Sequence, residues 1–318
     1  MKNIYSNIFS YNKKSLHKTI VNLKMGNIVG LPTETVYGLA GNAYLGESIK
    51  KIYKLKKRPK INPLIAHYFN FKNADNDVVL NSSFFKLYKK FCPGPITFIL
   101  KKKKKSKISS FVSANLNTQA IRFPNHKIIR LILKNINFPL AMPSANISSN
   151  ISPVSAEDVA DEFKRKIKII LNGGKSKIGI ESTVIDLTGK PTVLRPGIIN
   201  IKMINKILKT KINILKKSSK IISPGMLKRH YSPGIPIFLN QKIVNNTSAF
   251  ITFGKKHINK KNYFNLSKRS NLDEAASNLY KTLRKIKKLK FKKIYVVKIP
   301  NVGSGMAIND RLKRAAKK

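Results

Sequence analysis

The chain has 318 residues, 42% of them hydrophobic, enough for one large core or two moderate ones. Its formal charge of +51 at pH 7 favours anionic partners, nucleotide or RNA, without choosing between them. The single cysteine, Cys92, excludes an internal disulfide and a multi-cysteine zinc site, and no apolar run reaches the roughly 18 residues of a membrane span.

Met1 to Tyr5 lacks the apolar core of a signal peptide, so a cytoplasmic location is expected. Lysine supplies 54 of the 64 basic residues in a chain also crowded with Asn and Ile. These are residues of A/T-rich codons, so genome bias competes with function as the source of the charge. Only ten arginines remain. Arg58, Arg122, Arg195 and Arg229 sit in motif-like segments, where a planar fork does what lysine cannot.

Residues 13–200 read as one mixed α/β domain. Helical spacing over Ser15 to Met25 leads to a strand, Ile28 to Leu31. Leu31 to Ala40 then packs Pro32, Thr33, Glu34, Thr35, Tyr37 and Gly38 together, a density suited to a binding turn. An ordinary strand-to-helix connection with Thr33 or Thr35 as N-cap is the alternative. A helix over Glu47 to Leu55 follows, then a buried strand at Pro63 to His67. Phe84 to Phe91 is helical and stops at Pro93-Gly94-Pro95, before a strand at Ile96 to Leu100 and a solvated loop, Lys101 to Lys105.

Further strands are expected at Ala120 to Phe123, Leu140 to Met142, Ile167 to Leu171 and Ser182 to Leu187. Ser155 caps a helix to Phe163, with Asp158 three residues on. Strands and helices do not alternate strictly, which favours a mixed twisted sheet over a doubly wound one. Residues 201–236 read as a linker rich in proline and glycine towards its end. Residues 237–318 read as a small α/β Rossmann-like domain, with Ala275, Leu279, Leu283 and Ile286 as a helix's core stripe.

Four further clusters hold chemistry-bearing residues. In Lys56 to Pro63, Pro59 and Pro63 fix the backbone around Lys56, Arg58 and Asn62, which suits holding phosphates. A basic helix end complementing the macrodipole competes with that reading. Thr118 to Pro124 contains Arg122. Pro143 to Ser148 places small polar residues after a strand, where open α/β sheets bind ligands or simply turn. The last cluster joins Ile180 to Val184 with Val193 to Gly197. Gly173-Gly174-Lys175-Ser176 imitates a P-loop, but position 169 is Ile, so the spacing fails. His67 reads equally as a structural or a ligand-binding histidine.

Leu31 to Leu39, Lys56-x-Arg58, Pro93-Gly94-Pro95, Pro143-Ser144-Ala145-Asn146, Glu181-Ser182-Thr183-Val184 and Leu194-Arg195-Pro196-Gly197 occur in an order that resembles the YrdC-type threonylcarbamoyl-AMP synthases. Ser223-Pro224-Gly225-Met226, Arg229 to Pro233 and Ala307 to Leu312 resemble the long, two-domain form of that family. The resemblance implies condensation of L-threonine, bicarbonate and ATP to threonylcarbamoyl-AMP and pyrophosphate. The product serves N6-threonylcarbamoyladenosine modification of tRNAs reading ANN codons, through a downstream tRNA threonylcarbamoyl transferase machinery.

Carried over by position, the resemblance implies catalytic roles for Lys56, Arg58, Ser144 and Asn146. It implies ATP contacts from Arg58, Asn62, Thr118, Ser144, Ser152, Arg195 and Tyr231. L-threonine is expected at Thr35, His67, Arg122, Met142 and Ser182. Mg²⁺ is expected with the triphosphate, held by phosphates and water rather than protein side chains, and Tyr231 would place the linker over the site as a lid. Glu34 and Tyr37 are expected to support their turn. The alternative of another class is a non-enzymatic double-stranded RNA-binding protein of the same fold; for the synthase, direct RNA contact stays open.

Overall fold

The computed structural model describes residues 3–215, 223, 225, 230–242, 245, 247–256 and 260–317. Arg229, Pro224 and Met226, and with them part of the expected linker, lie outside the described residues. The first strands are β1 (Ile8–Ser10), β2 (Val29–Leu31), β3 (Gly38–Asn42), β4 (Ile65–His67), β5 (Ile96–Lys101) and β6 (Thr118–Arg122). They are followed by β7 (Leu140–Ala141), β8 (Ile170–Asn172), β9 (Thr183–Asp186), β10 (Thr192–Arg195) and β11 (Asn213–Ile214). These form one mixed sheet in the order β1-β8-β2-β3-β7-β4-β6-β5-β9-β10-β11. β2 and β3 pair antiparallel, β4 and β6 parallel, β5 and β6 antiparallel.

The mixed sheet follows from how its strands are joined. The six residues between β2 and β3 suffice only for an antiparallel return, whereas β4 and β6 are separated by a helix-containing crossover. Gly38 therefore opens a strand, so the dense segment after Leu31 is a hairpin loop of residues 32–37 rather than a strand-to-helix turn. Neither Thr33 nor Thr35 caps a helix. Thr33 Oγ1 instead accepts from the amides of Thr35 and Val36 and donates to Val36 O at 2.6 Å, closing the loop on itself.

The abundant asparagine has a local use. Asn12, Asn70, Asn81, Asn200 and Asn271 each cap a helix, the side-chain carbonyl accepting from an amide three residues on. Ser155 caps the Ala156–Phe163 helix, its Oγ accepting from Asp158 N at 3.2 Å. The reciprocal half of a capping box is missing, because the Asp158 carboxylate accepts from Val154 N at 2.9 Å. The expected linker starts as structure: Ile204 buries one face of an Ile201–Leu208 helix, and β11 adds to the large sheet beside β10.

Four strands, β12 (Ile237–Phe238), β13 (Ala249–Thr252), β14 (Tyr263–Asn265) and β15 (Ile294–Val296), make a second sheet, all parallel, in the order β12-β15-β13-β14. The Leu272–Lys288 helix packs Ala275, Leu279, Leu283 and Ile286 beneath it, as the stripe foretold, and the Ser304–Ala315 helix packs alongside. The core of this second unit is continuous with Val36, Ile151, Val154 and Ile180 of the first. Polar ties reinforce the seam. Arg284 Nη2 donates to Ile151 O at 2.7 Å and its guanidinium sits between Asp158 and Glu162, while Lys288 pairs with Asp161 at 2.8 Å. Among the described residues, no helix is long and apolar enough to cross a membrane.

Leu279 is fully buried in this shared core. Leu279→Ala is expected to cost about 2–5 kcal/mol of unfolding free energy, read as a lower urea midpoint.

Candidate functional site

One row across the large sheet sets the site. His67 and Arg122 are register partners at the carboxyl ends of β4 and β6, and Arg122 is opposite Thr97 of β5. Thr97 Oγ1 lies 2.7 Å from Ser182 Oγ just before β9, and Arg195 ends β10, donating from Nε to Ser182 O and from Nη2 to Ser182 Oγ, both at 3.1 Å. A cavity opens above this row. Thr33, Gly38, Arg58, His67, Arg122, Met142, Ser144, Glu181, Ser182, Arg195, His230 and Tyr231 are among its lining residues.

The opposite wall rests on backbone oxygens. Lys56 is buried at the end of the Gly46–Lys56 helix, and its Nζ donates to the carbonyls of Ser144, at 2.5 Å, and Asn146. It thus clamps a distant loop instead of serving the carboxyl end of its own helix. Ser144 Oγ donates to Asn146 Oδ1 at 2.6 Å, and Asn146 Nδ2 donates to Ile147 O and Asn150 O. Arg58 donates from Nε to Asn62 O at 2.9 Å, and from Nη2 to Asn62 Oδ1 at 2.6 Å and Pro63 O at 2.7 Å. Among the described residues no carboxylate pairs with Arg58.

The electrostatics follow from that economy of acids. Burial, with Arg195 nearby, pushes Arg58 down to about 10. Burial and then the Arg58 charge hold the Lys56 ammonium well below its usual range. Burial and the Arg122 charge push His67 down to about 3, so its imidazole is neutral. His230 is likewise pushed to about 3 by burial, and the Arg58, Lys56 and Arg195 charges add to the effect. Burial is the leading cause in each case, and the neighbouring cations add to it.

Glu34 and Glu181 are both engaged. Glu34 Oε1 accepts from Arg122 Nη2 at 2.7 Å, which leaves Arg122 Nε buried without a partner among the described residues. Glu181 accepts from Ser152 Oγ at 2.5 Å, Tyr280 Oη at 2.9 Å and Arg311 Nε at 3.1 Å. Burial alone would raise the Glu181 carboxyl, but Arg311 and Arg195 overcome that and hold it at about 2. Tyr37 Oη donates to Gly174 O at 2.7 Å and accepts from Gly173 N, tying the hairpin loop to the turn after β8. Gly225, at φ +87, faces Arg195, where a Cβ would fall 2.9 Å from Cδ.

Of the residues singled out in the sequence, Arg58, His67, Arg122, Met142, Ser144, Ser182, Arg195 and Tyr231 come together on the cavity wall. Lys56, Asn62, Asn146 and Ser152 stand behind it, each holding a wall residue by the bonds given above. Thr35 is buried with its Oγ1 2.9 Å from Thr33 Oγ1, and it is Thr33 that reaches the wall. Thr118 is not brought there: it starts β6 opposite Lys101, four residues or about 13 Å of strand from Arg122. Arg311 and Tyr280 were not singled out, although the scarcity of arginine pointed as much to Arg311 as to Arg58.

Residues 21–197 match the Sua5/YciO/YrdC family, described as telomere recombination, and residues 199–317 match the threonylcarbamoyl-AMP synthase C-terminal domain. The threonylcarbamoyl-AMP synthase of Pyrococcus abyssi is 35% identical over 92% of this chain and 92% of its own length. The chain belongs to the threonylcarbamoyl-AMP synthase family. The Bacillus subtilis threonylcarbamoyl-AMP synthase is 34% identical over 96% of this chain and 94% of its own. A crystal structure of P. abyssi Sua5 complexed with L-threonine superposes with a TM-score of 0.88 at 31% identity, covering 97% of this chain and 96% of that one. The two-domain mixed α/β architecture described above is thus that of a threonylcarbamoyl-AMP synthase, and the enzymatic reading stands over the RNA-binding one.

The depressed Glu181 carboxyl makes a pH-dependent contribution to stability. A carboxyl held at about 2 when folded and near 4.3 when unfolded stabilises the fold above about pH 5, and loses that contribution as pH falls towards 2. Glu181→Gln removes the titrating group. The stability gap between wild type and Glu181→Gln is therefore expected to narrow, by on the order of 3 kcal/mol, between pH 5 and pH 2 in urea titrations.

Proposed function

We propose that this cavity condenses L-threonine, bicarbonate and ATP to threonylcarbamoyl-AMP, pyrophosphate and water. The observation that carries the reading is Arg58: a half-buried guanidinium on the cavity wall, oriented by three oxygens of Asn62 and Pro63 and paired, among the described residues, with no carboxylate. Such a group is built to meet phosphate.

In this reading Arg58 and Arg195 hold the ATP phosphates, with Ser144 and the Tyr231 hydroxyl beside them. Lys56, Asn62, Asn146 and Ser152 fix the wall that carries those contacts. Thr118 reaches the nucleotide only if the adenosine end extends along β6 beyond the cavity. Arg122, Ser182, His67 and Met142 receive L-threonine, the molecule bound in the P. abyssi structure, with Thr35 behind Thr33. Arg122 keeps its fork aimed by Glu34 and has donors left for a carboxylate. Neutral His67 adds no charge to the amine's surroundings.

The threonine amine adds to the carbon of bicarbonate with loss of water, giving a carbamate. A carbamate oxygen attacks the α-phosphorus, and pyrophosphate leaves with the bonding pair. No enzyme nucleophile is required; positioning and cations opposite the developing phosphate charge do the work. Glu34 and Glu181 are committed to arginines, so we propose that Mg²⁺ arrives with the triphosphate and neutralises part of its charge, held by phosphates and water. A downstream tRNA threonylcarbamoyl transferase machinery would consume the product.

Pyrophosphate release from ATP is expected only when threonine and bicarbonate are both present; release that ignores threonine would refute the reading. Arg58→Ala is expected to lower kcat/KM for ATP by about a hundredfold or more, and full activity in that variant removes the phosphate site.

A further inference from the structure

We propose that Arg311, from the second domain, is a positioning residue for the nucleotide end of the cavity, acting through Glu181 and Tyr231. The inference rests on Tyr231 and Arg195 being nucleotide contacts, as proposed above.

Arg311 is 1% exposed and reaches from the Ser304–Ala315 helix into the seam between the domains. Each arm of its fork has an acceptor. Nε donates to Glu181 Oε2 at 3.1 Å, and Nη1 donates to Pro196 O at 2.6 Å and Asp310 Oδ2 at 3.1 Å. Pro196 directly follows Arg195, and Glu181 directly precedes Ser182, so the fork grips both segments whose next residues meet in the Arg195–Ser182 contact. Its flat face also lies over the Tyr231 ring, 5.3 Å from the centroid.

Tyr231 needs such a seat. Its backbone is left-handed, φ 64, which a bulky residue keeps only where its surroundings fix it. The ring stacks on Tyr280 at 5.8 Å, and the Tyr280 hydroxyl donates to the same carboxylate that Arg311 holds. The Tyr231 hydroxyl is buried on the cavity side without a partner among the described residues. A phenol placed at strain, seated on a cation from another domain, and left with a free hydroxyl at the cavity is a ligand contact held ready. The second domain therefore completes the nucleotide end and leaves the row of His67 and Arg122 to the first domain.

The test uses the full chain and threonine-dependent pyrophosphate release. Arg311→Met is expected to raise KM for ATP about tenfold or more and KM for threonine, through Ser182, by a clearly smaller factor. Arg311→Lys, which keeps the charge without the fork, is expected to fall between. Tyr280→Phe keeps the ring stack but loses the hydroxyl, and is expected to raise the same KM by a smaller factor. A purely structural role would lower the folded fraction, and so the apparent kcat, with both KM values unchanged; that result overturns the proposal. Equal rises in both KM values overturn it too. If Arg311→Met does not fold, an unchanged KM for ATP in both Arg311→Lys and Tyr280→Phe overturns it. Wild-type protein without threonine-dependent release would overturn the site reading as well, whereas an active wild type with an unmoved Arg311 series overturns this inference alone.

Discussion

Glu181 is the group on which the rest of the arrangement depends. It is a carboxylate buried at the seam of two domains, and burying a charge is tolerable only when hydrogen bonds and an opposite charge replace the water it loses. Ser152 supplies one bond from the first domain, and Tyr280 and Arg311 supply the others from the second. Neither domain alone satisfies this acid. Its neighbour in the chain is Ser182, so the requirement is transmitted directly to the cavity wall.

The same logic runs through the remaining charges, with a different solution. Lys56 is buried and Arg58 half-buried, with backbone and amide oxygens as partners, not acids. Both side chains are thereby held in place, and the Arg58 charge is left available at the cavity wall. Arg122 is the intermediate case, half-committed to Glu34. Arg58 thus meets the cavity with no acid paired to it among the described residues, whereas Arg122 is matched by Glu34, which suits a polyphosphate beside the first and a zwitterionic amino acid beside the second.

Much of this was legible along the chain, for local reasons. The helix over Leu272–Lys288 followed from Ala275, Leu279, Leu283 and Ile286 falling on one face, and the Phe84 to Phe91 helix from its stop at proline. The Leu31 to Ala40 segment was legible as special but not as a hairpin, because Gly38–Asn42, which returns antiparallel onto Val29–Leu31, is buried throughout and rich in small residues, so no polar–apolar alternation marks it as a strand. Lys56 and Asn146 were singled out for their side chains, but the bond between them is formed by a backbone carbonyl that no side-chain pattern records. The role of Arg311 was hidden by distance along the chain: Pro196 O and the Glu181 carboxylate, which it holds, lie 115 and 130 residues earlier.

Anchoring cations on main-chain oxygens has a consequence for a chain so heavily biased in composition. A side-chain partner can be lost in one codon change, but a carbonyl is present whatever residue bears it. Replacing Ser144 or Asn146 leaves both acceptors of Lys56 in place, and replacing Asn62 removes one of three acceptors of Arg58. Drift towards lysine, asparagine and isoleucine can therefore sweep the surface while the anchors of this wall stay beyond its reach.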